Sequence, residues 1–167
     1  MLYSENEIID TARTYCEEHS LEIRKILGRG LQGIVFYVSD SLRENALKIH
    51  HSQTGFEREL ACYKRLADKN VSRIKGFNVP NLLNWDVELR AIEMSIVPTP
   101  FILDFGGAYL DRLPDHVGVE IERQEDFGEQ WPLVVEALAE LEAIYGIFIS
   151  DINAGNIRFE DFNLAGK

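Results

Sequence analysis

The chain has 167 residues, 46% of them hydrophobic, enough to bury a core and too few for two ordinary independent domains. Its formal charge of -11 excludes a nucleic-acid backbone or an anionic membrane surface as a general partner, because both repel it at long range. Cys16 and Cys62 fall in helix-like segments without disulfide spacing, no apolar run reaches membrane length, and the start MLYSENEIID lacks a basic, hydrophobic leader, so a soluble cytoplasmic protein is expected.

Ser4 followed by Glu7 forms a capping box, and Ile8, Ile9, Ala12, Tyr15 and Cys16 recur on one helical face, predicting an amphipathic first helix. From Glu22 onward, EIRKILGRG, GIVFYVSD and NALKIH are short, rich in β-branched and aromatic residues and separated by turn formers, which predicts three antiparallel strands. TGFERELACYKRLAD places Phe56, Leu60, Tyr63 and Leu66 at helical intervals, giving a second helix. NLLNWDVELRAIEMSIV predicts two further strands joined by a turn near Asp86 and Glu88. Pro98 and Pro100 mark a linker, and Gly106 and Gly107 leave Phe101 to Leu113 ambiguous. QWPLVVEALAELEAIYG reads as a helix with Pro132 in its first turn and Gly146 as its C-terminal cap. IFISDINAGNIRFEDFNLAGK then reads as an extended piece, a polar loop and a second extended piece. The sum is a two-part α+β chain.

Gly28, Gly30 and Gly33 form the pattern G-R-G-L-Q-G. In a dinucleotide-binding turn such glycines open into a helix whose N-terminus receives the pyrophosphate. Here Ile34 to Val38 continue as a strand, so the glycines sit at a hairpin tip whose amides can approach phosphates; an ordinary glycine-rich hairpin is the other reading. Lys48 follows on the third strand, where a compact charge can reach phosphate oxygens; alternatively it is a solvated strand residue. The long helix is followed by Asp151-Ile-Asn-Ala-Gly-Asn156. A glycine hairpin followed by Val35, an Ala46-x-Lys48 strand and this Asp-to-Asn loop, in that order, resembles the protein-kinase family over most of the chain.

The resemblance implies one kinase-like domain: residues 1–97 as an N-lobe with the first helix, a small five-stranded antiparallel sheet and helix C, and residues 98–167 as a reduced, mainly helical C-lobe. It implies ATP and Mg2+ as cofactors between the lobes. Gly28, Gly30, Gly33 and Val35 would cover the nucleotide and Lys48 would meet its phosphates. Ile92 would stand at the back of the pocket, with the backbone of Glu93, Met94 and Ser95 along the base. A glutamate of the second helix would hold Lys48; Glu59 is chosen because Tyr63 and Leu66 follow it at four and seven positions, with Glu57 second. Asp151 would face an acceptor hydroxyl and Asn156 would hold a metal ion.

The chain departs from the family in two places. Ile149 stands where a histidine or other polar residue is usual, and no Asp-Phe-Gly segment follows Asn156 at the usual distance. Asp161 is therefore the candidate second metal ligand, while Asp104 in Leu103-Asp104-Phe105-Gly106, upstream of the loop, is read as a linker or capping residue. With Lys167 last and no activation segment before it, phosphorylation of a folded protein is not expected. The expected function is ATP-dependent phosphotransfer to an acceptor hydroxyl oriented by Asp151, with a protein partner or a small-molecule acceptor both open; the alternative is an inactive pseudokinase acting as a nucleotide-binding or protein-interaction module.

Overall fold

Ser4 accepts the N–H of Glu7 and the Glu7 carboxylate accepts the N–H of Ser4, so helix α1 (Glu5–His19) begins at the expected capping box. The computed structural model describes residues 1–118, 120–121 and 124–159. Strands β1 (Glu22–Arg29), β2 (Gly33–Ser39) and β3 (Glu44–His50) follow as a meander, and helix α2 (Gln53–Asp68) starts at the Ser52 cap. A hairpin of β4 (Arg73–Ile74) and β5 (Phe77–Asn78), unanticipated in the sequence, turns on Lys75 and Gly76, both at positive φ. Strands β6 (Leu82–Asp86) and β7 (Ala91–Ser95) then complete a five-stranded antiparallel sheet in the order β1-β2-β3-β7-β6.

Alternation along the strands sorts side chains onto two faces. Ile34, Phe36, Val38, Leu47, Ile49 and Ala91 face α1 and join Ile8, Ala12, Tyr15 and Cys16 in one apolar layer. Ala46, Ile92 and Met94 face the other way and join Phe56, Leu60, Tyr63 and Leu66 of α2. That second layer continues without a break into Ile102, Phe105, Val134, Leu141 and Ile157, so one core crosses the Pro98–Pro100 segment. Each fully buried side chain of this size contributes on the order of 1.5–3 kcal/mol relative to its exposed form. Cys16 and Cys62 are both buried as free thiols, and they lie in different layers.

The C-terminal part differs from the mainly helical expectation. It holds strand β8 (Phe101–Ile102), a 3-10 turn (Phe105–Gly107), β9 (Ala108–Leu110), β10 (Glu120–Ile121), a second 3-10 segment (Gln124–Gln130), helix α3 (Trp131–Tyr145), β11 (Ile147–Ile149), β12 (Asp151–Ile152) and β13 (Ile157–Arg158). Among the described residues α3 is its single α-helix, with Pro132 near its start and Gly146, at φ 63°, as its C-cap. The rest is short ladders: β9 with β11 and β8 with β13, both antiparallel, and β10 with β12 and β5 with β8, both parallel. Apolar residues arrive there in runs of two or three between glycines and polar turns, too short for helical periodicity to bury a stripe. The fold is α+β, with an antiparallel sheet and three α-helices among the described residues. Among those residues no helix is long and apolar enough to cross a membrane.

Candidate functional site

Strand β3 projects Ala46, Lys48 and His50 toward α2, while Leu47 and Ile49 between them enter the α1 layer. Lys48 is therefore a buried cation, 4% exposed, and requires anionic partners. Its Nζ donates to Glu59 Oε2 at 2.6 Å and to Asp104 Oδ1 at 2.8 Å. Burial pulls the Lys48 pKa down, but the carboxylates of Glu59 and Asp104 outweigh it and hold the ammonium above its ordinary value. For Glu59 burial acts upward, and Lys48 and His50 together bring the carboxyl well below the usual carboxylate range. Glu59 is buried on the face of α2 that also carries Tyr63 and Leu66, and Glu57 is exposed.

Asp104 is more than the linker or cap read from the sequence. Its carboxylate does accept the N–H of Gly106 at 3.3 Å, and the same Oδ1 reaches Lys48. The residue sits at φ 69°, a region few non-glycine residues adopt and one often associated with functional positions. The pairing of β8 with β13 explains its place: Ile102 opposes Ile157 and Leu103 N–H donates to the Asn156 carbonyl at 2.9 Å. Asp104 thus leaves the ladder one residue beyond the point where the chain passes Asn156. The letters Leu103-Asp104-Phe105-Gly106 were the available signal, set aside because of their chain order.

The Asp151–Asn156 loop is organised by Asn153. Its Oδ1 accepts the N–H of Gly155 at 2.8 Å and of Asn156 at 3.2 Å, and its Nδ2 donates to Asp151 Oδ1 at 3.1 Å. Asn156 Nδ2 reaches back to the Asp151 carbonyl at 3.4 Å. Asp151 is exposed, and Gly107 lies against it, close enough that a Cβ there would stand 3.4 Å from the Asp151 Cβ. Asp161 lies outside the described residues.

These groups open on one cleft of about 660 Å³, lined by the β1–β2 hairpin, Val35, Lys48, Glu59, Met94 to Val97, Asp104, Asp151 and Asn156 among others. That size is within the range of small-molecule sites. Ile92 is completely buried, and neither it nor Glu93 is part of this lining. The Glu93 side chain turns to the α1 face, where it accepts from Tyr15 Oη at 2.7 Å and Asn45 Nδ2 at 2.6 Å. A shallower groove of about 440 Å³ between α1 and β1, with Ile9, Cys16 and Phe36 in its lining, gathers none of the candidate residues.

The three hairpin glycines have different structural roles. A Cβ on Gly33 would overlap the Ile49 carbonyl oxygen of β3, whereas nothing lies within 4 Å of a Cβ on Gly28 or Gly30. Gly33→Ala is therefore expected to destabilise the chain by about 1–3 kcal/mol, and Gly28→Ala and Gly30→Ala to stay within roughly 0.5 kcal/mol. Urea unfolding of the three variants measures this; equal losses would show that the close approach of β2 to β3 is absent in solution.

No protein-family model matches the chain, and no curated protein matches it significantly.

Proposed function

We propose that the cleft binds magnesium-ATP and that the chain is a phosphotransferase of the protein-kinase type. The observation that carries this reading is the convergence, on one cleft, of the glycine hairpin, the Lys48–Glu59–Asp104 cluster and the Asp151–Asn156 loop. A buried lysine held between a buried carboxylate, Glu59, and a partly exposed one, Asp104, is positioned before a phosphate arrives. Gly28 and Gly30 have open space over their α-carbons, so no side chain keeps a phosphate from the hairpin backbone, while the Gly30 N–H itself closes the hairpin on the Gly33 carbonyl at 3.0 Å. The end of β7 and the residues just after it, Met94 to Val97, bring apolar surface to the cleft where a base would lie.

Among the described residues no group of three or more His, Cys, Asp or Glu is gathered for a metal. The donors that fit magnesium are Asp104 and Asn156, both on the cleft, with phosphate oxygens and water completing an oxygen shell. In this reading β8, pairing with β13 from upstream, supplies in reversed chain order the carboxylate that the kinase resemblance places after the asparagine. Magnesium, when bound with the nucleotide, offsets the charge of the phosphate oxygens. Lys48 neutralises further phosphate charge. Asp151, aimed by Asn153, accepts the proton of an acceptor hydroxyl as its oxygen bonds to the γ-phosphorus and the bond to the leaving ADP oxygen breaks.

The test is thermal unfolding of the full chain with ATP or ADP, with and without magnesium. Nucleotide at a hundred times its dissociation constant is expected to stabilise by roughly 2.7 kcal/mol. Absence of any shift with either nucleotide overturns the reading. Binding accompanied by equal phosphate transfer or release in wild type and Asp151→Asn would assign the chain to the nucleotide-binding module without catalysis.

A further inference from the structure

His50 was not singled out by the sequence, yet its side chain is fully buried two residues beyond Lys48 on the same face of β3. Its Nε2 lies 2.7 Å from Glu59 Oε2, the same oxygen that accepts Lys48 at 2.6 Å. Its Nδ1 lies 3.1 Å from the Arg90 carbonyl oxygen, which also accepts the His50 backbone N–H at 3.1 Å. An ionised carboxylate is an acceptor only, so the short contact with Glu59 is made by an N–H on Nε2. Two donors, Lys48 Nζ and His50 Nε2, thus converge on one oxygen of Glu59.

We infer that His50 is a positioning residue for the Lys48–Glu59 pair: it fixes the Glu59 carboxylate and keeps a donor on its oxygen when Lys48 engages phosphate. The inference rests on the reading of the cleft as a magnesium-nucleotide site. Three observations support a built arrangement. The ring is packed edge-on against Phe56 of α2, with centroids 5.6 Å apart, so it cannot swing away. Arg90 is itself fixed, at φ 51°, with its guanidinium donating to the His51 and Met1 carbonyls at 3.0 and 3.2 Å and stacked 4.0 Å from the Tyr3 ring. Glu59 has three rotatable bonds, and two donors converging on one oxygen remove the freedom that a single lysine would leave. A connected path therefore runs from the first residues of the chain through Arg90 and His50 to Glu59 and Lys48.

The experiment uses the full chain, uniformly labelled with 15N, with His50→Phe and His50→Gln as variants. Phenylalanine keeps the aromatic packing and removes the donor to Glu59; glutamine keeps a donor and serves if the first variant fails to fold. The first readout needs no nucleotide: the Lys48 ammonium resonance, which a buried, hydrogen-bonded amine retains through slow exchange, is expected to shift or disappear in His50→Phe while the backbone amide spectrum stays dispersed. The second is affinity for magnesium-ADP, expected to fall about tenfold, as when the outer partner of a functional group is removed. A Lys48 resonance unchanged in the folded variants overturns the inference, whatever the nucleotide does. If wild type binds no nucleotide, the functional reading fails, and the Lys48 resonance still decides whether His50 positions the pair.

Discussion

Lys48→Met is expected to lower the unfolding free energy by about 3–5 kcal/mol, nearer the lower figure because His50 still shares the Glu59 oxygen. Methionine fills much of the same volume, so the loss comes from charge. Glu59 is 1% exposed and would lose the shorter of its two hydrogen bonds; Asp104, at 29% side-chain exposure, recovers water more easily. Against a total stability of roughly 5–15 kcal/mol this is a large fraction. The double variant Lys48→Met/Glu59→Gln is expected to be more stable than Lys48→Met alone, because the stranded carboxylate is gone. Equilibrium urea unfolding of the wild type, both single variants and the double variant gives the comparison. A Lys48→Met loss below about 1 kcal/mol, the worth of an exposed pair, would mean that the lysine is not buried between carboxylates in solution.

The same pair has a pH signature of definite sign. Glu59 is held below its ordinary 4.5, to about 2, burial acting upward and Lys48 and His50 downward more strongly. A carboxylate depressed in the folded state contributes stability that is present above the ordinary value and is lost as pH falls through the folded one. The gap between wild type and Lys48→Met should therefore be widest near neutrality and close between pH 4.5 and about 2. Lys48, raised above 10.5, contributes in the opposite sense: its share is present below that value and is lost only as pH climbs through the folded pKa.

The parts legible in the sequence are those governed by near neighbours along the chain. The Ser4–Glu7 box starts α1, the three- and four-residue spacing of Phe56, Leu60, Tyr63 and Leu66 buries one face of α2, and that same spacing points Glu59 rather than Glu57 inward. The pairing of Lys48 with a glutamate of α2 is an implication of the resemblance, and helix phase selects Glu59 for it. Asp104 meeting Lys48 does not, because the residues are 56 positions apart and meet only after β8 pairs with β13. Its local chemistry, a cap on Gly106, already accounted for an aspartate before two glycines. Likewise Gly28, Gly30 and Gly33 carry identical letters, and only the approach of the Ile49 carbonyl separates Gly33 from the other two. The two-residue strands of the C-terminal part were illegible for a related reason: a run that short has no period, and its pairing is decided by what the rest of the core leaves uncovered.

Asp104→Asn is expected to leave the fold within roughly 1 kcal/mol of wild type while abolishing the magnesium dependence of nucleotide binding. An asparagine oxygen can still accept from Gly106 and from Lys48, so the 3-10 turn and the lysine keep their partners. What disappears is a negative charge on the cleft. Two consequences of opposite sign follow. Without magnesium, ADP should bind Asp104→Asn more tightly than wild type, because a carboxylate no longer repels the phosphates. With magnesium, it should bind less tightly than wild type, and the rate of phosphate transfer should drop by about a hundredfold or more, as on removal of a preorganised charge-stabilising group. A general distortion of the cleft would weaken both conditions together, so the crossing of the two effects is the discriminating result. Titration calorimetry of ADP with and without magnesium on wild type, Asp104→Asn and Asp161→Asn measures it. If Asp161→Asn produces the crossing and Asp104→Asn does not, the metal carboxylate is Asp161, and Asp104 serves only to cap the turn and hold Lys48.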